Sequence, residues 1–173
     1  MRLFLPKKVI FVGLLVSLLA LTGCDPQRIA ELEESVSTEV DVRAKFGEPE
    51  KIWDGAGGVR IFEYNRQPAG HVNYMISIGT DGKMSALRQV LTPANFAKVV
   101  PGMAMEDLRK MLGKPMRVVR YELKKETYYS WRYLMDQNNT SMIFSAVLND
   151  DMRVLRTETM PDADSASNGS GGR

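Results

Sequence analysis

The segment Asp41-Val-Arg-Ala-Lys-Phe-Gly-Glu-Pro49 returns as Asp107-Leu-Arg-Lys-Met-Leu-Gly-Lys-Pro115, and this repetition constrains the fold more than any other feature of the chain. Asp, Arg, Gly and Pro coincide, as do the apolar positions Val42/Leu108 and Phe46/Leu112. Further on, Phe62-Glu-Tyr64 aligns with Trp131-Arg-Tyr133, and Met84-Ser-Ala-Leu-Arg88 with Met152-Arg-Val-Leu-Arg156. Matches in one order, with short slips confined to turn-like stretches, predict two copies of one folding unit.

Each copy has the same physical logic. Val42 and Phe46 stand four apart and share one helical face, as do Leu108 and Leu112. Glycine directly after the last apolar residue permits the left-handed backbone that ends a helix, and proline two residues later prevents resumption. Ser37 is expected to cap the first helix. A second, shorter helix is expected before each, beginning at Ile29–Leu32 in the first copy and spanning Thr92–Val100 in the second, with Thr92 as N-cap and Pro93 in its first turn.

After each Gly-x-Pro the period changes to two. Val72, Tyr74, Ile76 and Ile78 alternate with smaller or polar residues, as do Tyr129, Trp131 and Tyr133, then Met142, Phe144, Ala146 and Leu148. Gly55–Gly58, Pro68–Gly70, Thr80–Gly82, Asn138-Asn139 and Asn149-Asp150 punctuate these runs as turns. The predicted fold class is therefore α+β: two tandem repeats, each with two short helices packed on a four-stranded antiparallel sheet.

The N-terminus reads as a processed leader. Arg2, Lys7 and Lys8 precede an apolar run from Val9 to Leu21, then Thr22-Gly23 and the only cysteine, Cys24. The run is shorter than the roughly 20 residues a bilayer span needs and has the form of a secretory signal peptide. The expected organisation is a signal peptide over residues 1–23, an N-terminal segment headed by Cys24 and a spacer over 24–35, repeats over 36–91 and 92–160, and a disordered tail over 161–173, where small and polar residues leave nothing to bury.

Charge and composition exclude several classes of function. Of 23 Lys and Arg against 21 Asp and Glu, three basic residues belong to the leader, so the remaining chain is nearly neutral and nucleic-acid binding is not expected. His71 is the only histidine and has no Cys or His partner for a zinc site. Asp150-Asp151 lacks the alternating ligands of a calcium loop. Met103, Met105, Met111 and Met116 are read as core or interface packing. No phosphate loop, Ser-His-Asp set or HExxH motif occurs. The expectation is a chain that is no enzyme, with no cofactor, no metal and no small-molecule substrate.

Leu21-Thr-Gly-Cys24 resembles a bacterial lipobox, which implies that Cys24 is the lipid-attachment residue and anchors the chain to a membrane. With that leader, Val99-Val-Pro-Gly-Met-Ala-Met-Glu-Asp-Leu-Arg-Lys-Met-Leu-Gly-Lys-Pro115 and the aromatic-x-Tyr strands resemble the SmpA/OmlA (BamE) family of outer-membrane lipoproteins. The resemblance covers about Ser37 to Thr159. It implies a fold similar to β-lactamase-inhibitor proteins (BLIP-like), envelope-protein partners such as the β-barrel assembly machinery, and a role as a non-enzymatic scaffold on the periplasmic face of the outer membrane. Asp25, the residue that tends to retain lipoproteins in the inner membrane of enteric bacteria, makes the inner membrane the alternative. Inhibition of a periplasmic hydrolase is the alternative function. If Trp131 and Tyr133 face the core, Tyr128 and Arg132 lie on the opposite sheet face, where Tyr and Arg are the residue types that anchor protein interfaces; both are the expected partner-binding residues.

Overall fold

A computed structural model describes residues 25–135 and 139–167. The signal peptide and Cys24 lie outside the described residues. The described residues fall into two units, divided between Glu33 and Glu34. The first contains helix α1 (Asp25–Ala30).

The second unit holds both repeats. The first repeat comprises α2 (Glu39–Phe46) and strands β1 (Lys51–Asp54), β2 (Arg60–Asn65), β3 (Asn73–Ile78) and β4 (Met84–Gln89). The second comprises α3 (Pro93–Phe96), α4 (Met105–Leu112), β5 (Arg117–Tyr121), β6 (Glu126–Leu134), β7 (Ser141–Leu148) and β8 (Val154–Pro161), followed by α5 (Ala163–Ser167). Each repeat forms one four-stranded antiparallel meander in sequence order. The chain is thus α+β with two such sheets. Within the second unit the first sheet has one helix from its own repeat rather than two.

Quasi-equivalent backbone contacts join each main helix to its sheet. Val154 N–H donates to Met103 O as Met84 N–H donates to Ser37 O, and Thr38–Lys83 and Ala104–Arg153 form matching bridges. These contacts correct the sequence alignment: Met84 matches Val154, two residues beyond Met152. The shift arises because β7 is two residues longer than β3. Thr38, rather than Ser37, is the N-cap; its Oγ1 accepts from Asp41 N–H while Asp41 Oδ2 accepts from Thr38 N–H at 2.8 Å. Ala104 holds the corresponding position before α4 and cannot reciprocate for Asp107. Gly47 and Gly113 end the helices at φ 81° and 75° with ψ near −165°, a region essentially restricted to glycine.

The inner face of the first sheet presents Phe62, Tyr64, Tyr74, Ile76 and Ile78 to Val42 and Phe46 of α2, all buried. Phe46 packs on Tyr64 and Tyr74 with ring centroids 5.1 and 5.6 Å apart. In the second repeat Leu108 and Leu112 join Trp131, Tyr133, Phe144, Ala146, Leu148 and Val154, with Phe96 of α3 stacked on Phe144 at 4.1 Å. Burying each such side chain contributes about 1.5–3 kcal/mol. Met103, Met105 and Met111 pack against this core.

The repeats are fused through α4. Its Arg109 Nη2 donates to Glu63 Oε1 at 2.8 Å, and Glu63, on the outer face of the first sheet, is fully buried. That carboxylate also accepts from Trp53 Nε1, Asn65 Nδ2 and Lys114 N–H. Asn73 Nδ2 donates to Leu112 O and Lys114 O, and Met75 and Ile61 from the same face join the second repeat's core. The main helix of the second copy therefore lies between its own sheet and the outer face of the first.

Candidate functional site

Strand alternation places Tyr128, Ser130 and Arg132 of β6 on the face opposite Trp131 and Tyr133. The pairing of strands brings neighbours alongside: Val119, Val147 and Arg156 in register with Tyr128, Arg117, Ser145 and Glu158 with Ser130, and Ile143 and Met160 with Arg132. A groove of about 220 Å³ runs across this face and is lined by β5–β8 alone. Its floor is the buried pair Ser130–Ser145, whose hydroxyls are 2.8 Å apart. Tyr121 and Tyr128 pack edge-to-face on one side, ring centroids 5.1 Å apart, with Ile143 and Met160 on the other.

The charges of this face are nearly all committed. Arg156 donates to both oxygens of Glu126 at 2.7 and 3.0 Å, to Glu158 at 3.0 Å and to Tyr128 Oη at 2.9 Å. The Arg156 guanidinium holds Glu126 below the ordinary carboxylate range. Arg117, exposed at the mouth of the groove, pairs with no carboxylate among the described residues.

Arg132 lies on the expected face but is engaged. Its Nε is 2.5 Å from Asp162 Oδ2, its Nη2 donates to Asp162 Oδ1 at 3.2 Å, and its Nη1 donates to Pro68 O at 3.2 Å. Of the two expected partner-binding residues, only Tyr128 borders the groove. The expected tail is also corrected over its first part: Pro161 ends β8, Asp162 is buried, and α5 follows to Ser167. Its remainder, 168–173, lies outside the described residues. β8 delivers Asp162 to the Arg132 guanidinium and the Ser141 hydroxyl.

Sequence reasoning missed that convergence. Ser141 Oγ donates to Asp162 Oδ2 at 2.8 Å and lies 2.9 Å from His71 Nε2. With its single proton on Asp162, the hydroxyl accepts from His71. A hydrolytic triad needs the reverse order, with imidazole accepting the serine proton and aspartate holding the other ring nitrogen. Burial, reinforced by Arg132, holds His71 below its ordinary 6.5. Burial would raise Asp162, but the Ser141 hydrogen bond and the Arg132 guanidinium outweigh it and hold the carboxyl below 3.8. The arrangement is a clasp that fixes the C-terminal segment to β6, β7 and the β2–β3 loop. Among the described residues no three His, Cys, Asp or Glu side chains converge to hold a metal, and no helix is long and apolar enough to cross a membrane.

No protein-family model matches this sequence, and no curated protein does. Among solved structures, a DUF4309 family protein (YjgB) from Bacillus subtilis is similar at 24% identity and TM-score 0.30, over 76% of this chain and 83% of that one. An extracellular protein containing a SCP domain from Bacillus anthracis is similar at 14% identity and TM-score 0.27, over 72% of this chain and 43% of that one. Similarity this distant assigns no function.

Proposed function

We propose that this chain is a non-enzymatic, lipid-anchored envelope protein that binds other proteins through the outer face of its second sheet. The observation that carries the reading is internal to the fold. The outer face of the first sheet receives a helix, through Glu63, Asn73, Met75 and Ile61. The quasi-equivalent face of the second sheet is a groove with aromatic and apolar walls, lined only by its own strands. Lipobox-like Leu21–Cys24 supports anchoring through Cys24, with the outer membrane as the site and the inner membrane as the alternative set by Asp25. Resemblance to SmpA/OmlA proteins supports a BLIP-like arrangement of the repeats and a scaffold role beside the β-barrel assembly machinery.

The test is purification of the membrane-anchored, C-terminally tagged chain in mild detergent, with identification of every stoichiometric companion. Recovery of assembly-machinery subunits is the expected result. Recovery of a single soluble hydrolase with no assembly protein would replace the scaffold reading with an inhibitor. Replacing Cys24 with Ser is expected to release the chain from the membrane fraction.

A further inference from the structure

Resting on the protein-binding reading above, we propose that the groove between Tyr121/Tyr128 and Ile143/Met160 receives an amphipathic helix of a partner protein, and that this helix carries a carboxylate opposite Arg117. The internal interface is the template for the occupant. On the first sheet the outer face is covered by a helix whose cation, Arg109, meets a strand carboxylate, Glu63. Glu63 lies between Phe62 and Tyr64 on the central strand, and its counterpart between Trp131 and Tyr133 is Arg132. The polarity of the face is thus reversed in the second repeat.

Reversal of charge selects the partner. A second copy of this chain would offer α2, the repeat equivalent of α4, with Arg43 where α4 has Arg109. That places arginine over a face already bearing Arg117, Arg132 and Arg156. Like charges brought together at an interface oppose association strongly. Every carboxylate on the face is already spent: Glu126 and Glu158 on Arg156, Asp162 on Arg132. Of the three arginines on this face, Arg117 is the one that pairs with no carboxylate among the described residues, and it has the planar fork that recognises one.

Shape selects an apolar side chain as the anchor. The small Ser130–Ser145 floor, hydrogen-bonded to itself, asks nothing of an occupant and leaves depth for a Leu- or Met-sized residue between the walls. Beside the groove the β5–β6 turn presents Leu123, which is fully exposed, and Tyr121 is half exposed. This apolar rim is continuous with the aromatic wall and lengthens the surface a helix would cover.

The test uses the full-length anchored chain with a photo-crosslinking amino acid at Val119 or at Met160, irradiated in the producing cells, and the crosslinked peptide sequenced. A control carries the crosslinker at Val40, on the exposed side of α2. The proposal expects both groove positions to mark one partner segment with apolar residues at helical spacing and an Asp or Glu among them. Arg117→Glu should cut that crosslink by about tenfold or more, and a lysine replacing the partner's carboxylate should restore it. Crosslinks to a second copy, to residues 1–33 of the same chain or to lipid would overturn the proposal, as would a yield indifferent to Arg117→Glu. Companions recovered with a silent groove would sink the proposal and leave a protein-binding chain that uses another surface; no companions from either experiment would remove both.

Discussion

The two outer sheet faces begin from the same strand order and differ in what lies on them. On the first sheet, Trp53, Ile61, Glu63 and Met75 meet the second repeat, so even a carboxylate is removed from water and given four hydrogen-bonding partners. At the quasi-equivalent positions the second sheet has Arg117, Ser130, Arg132 and Ile143, a set compatible with solvent at its rim. The same face of one repeated unit is interior in the first copy only. Terminal units of a repeat array are expected to differ in this way, because nothing further stacks on them. The C-terminal clasp closes one end of the second face with Asp162, supplying from the chain's own tail the counter-charge that α4 supplies to the first.

The sharpest way to break this contrast is Glu63→Ala. It removes the acceptor of Trp53 Nε1 and leaves Arg109 with only Glu50, 4.0 Å away, and losing one partner of a buried pair costs about 3–5 kcal/mol. Thermal unfolding is expected to shift down by about 10 °C or more. Replacing the pair together, Glu63→Leu with Arg109→Met, should recover most of the loss, because well-packed apolar residues often substitute for a buried ion pair at no cost. A double mutant no better than Glu63→Ala would mean that the carboxylate is not serving Arg109.

Next in size is the pair of helix-ending glycines. Both hold a backbone that costs a residue with Cβ about 1–3 kcal/mol. A Cβ at Gly47 meets nothing within 4 Å, whereas at Gly113 it would sit 2.9 Å from Asn65 Oδ1 and 3.0 Å from Asn73 Nδ2. Gly113→Ala is therefore expected to destabilise more than Gly47→Ala by chemical denaturation, since it also pushes α4 off the first sheet. Equal losses would say that the interface yields freely.

Which parts of this contrast were legible in the sequence follows from the range of the interactions. The ends of α2 and α4 at Gly47 and Gly113 and the inward faces of Phe62, Tyr64, Trp131 and Tyr133 are local patterns, and the structure places them where periodicity does, whereas α3 stops at Phe96, short of the expected Val100. Glu63 was not legible as a buried residue: Phe-Glu-Tyr is an alternating strand with its acid facing out, and only a second repeat arriving from far along the chain turns that side inward. Asp162 stood in a stretch too small and polar to suggest order, yet Arg132, Ser141 and His71 gather around it from other strands and loops. The turn at Glu122–Lys124 carries no Gly or Pro and closes with Lys125 at φ 52°. Tyr128 and Arg132 were assigned to the correct face by alternation, but alternation cannot see that one of them is already occupied.

A smaller effect separates the clasp from the rest of the molecule by pH. Because burial and Arg132 depress His71 in the folded chain, the unfolded chain binds its proton more readily. Stability is therefore complete above about pH 6.5 and declines as pH falls through the lower, folded value. Asp162 is likewise depressed, so its contribution is complete above about pH 3.8 and is lost only in stronger acid. Melting temperature measured between pH 8 and 5 should fall less steeply in His71→Asn than in the parent chain. An unchanged slope over that window would remove His71 from the clasp's energetics while leaving the Asp162–Arg132 pair intact.

The smallest expected effect on stability is at Arg117, and it is the most informative about the open face. The residue is exposed and touches no carboxylate among the described residues, so Arg117→Ala should change unfolding free energy by no more than about 0.5 kcal/mol. Its counterpart by strand register, Trp53, is buried and donates to Glu63; Trp53→Ala falls in the range of about 3–5 kcal/mol for a large core deletion. The two substitutions occupy the same place in two copies of one sheet. A wide gap between them is the signature of one face built into the fold and one left free of it. A comparable loss at both would mean that Arg117 already holds structure together, and a residue committed in that way could not be waiting for a carboxylate from elsewhere.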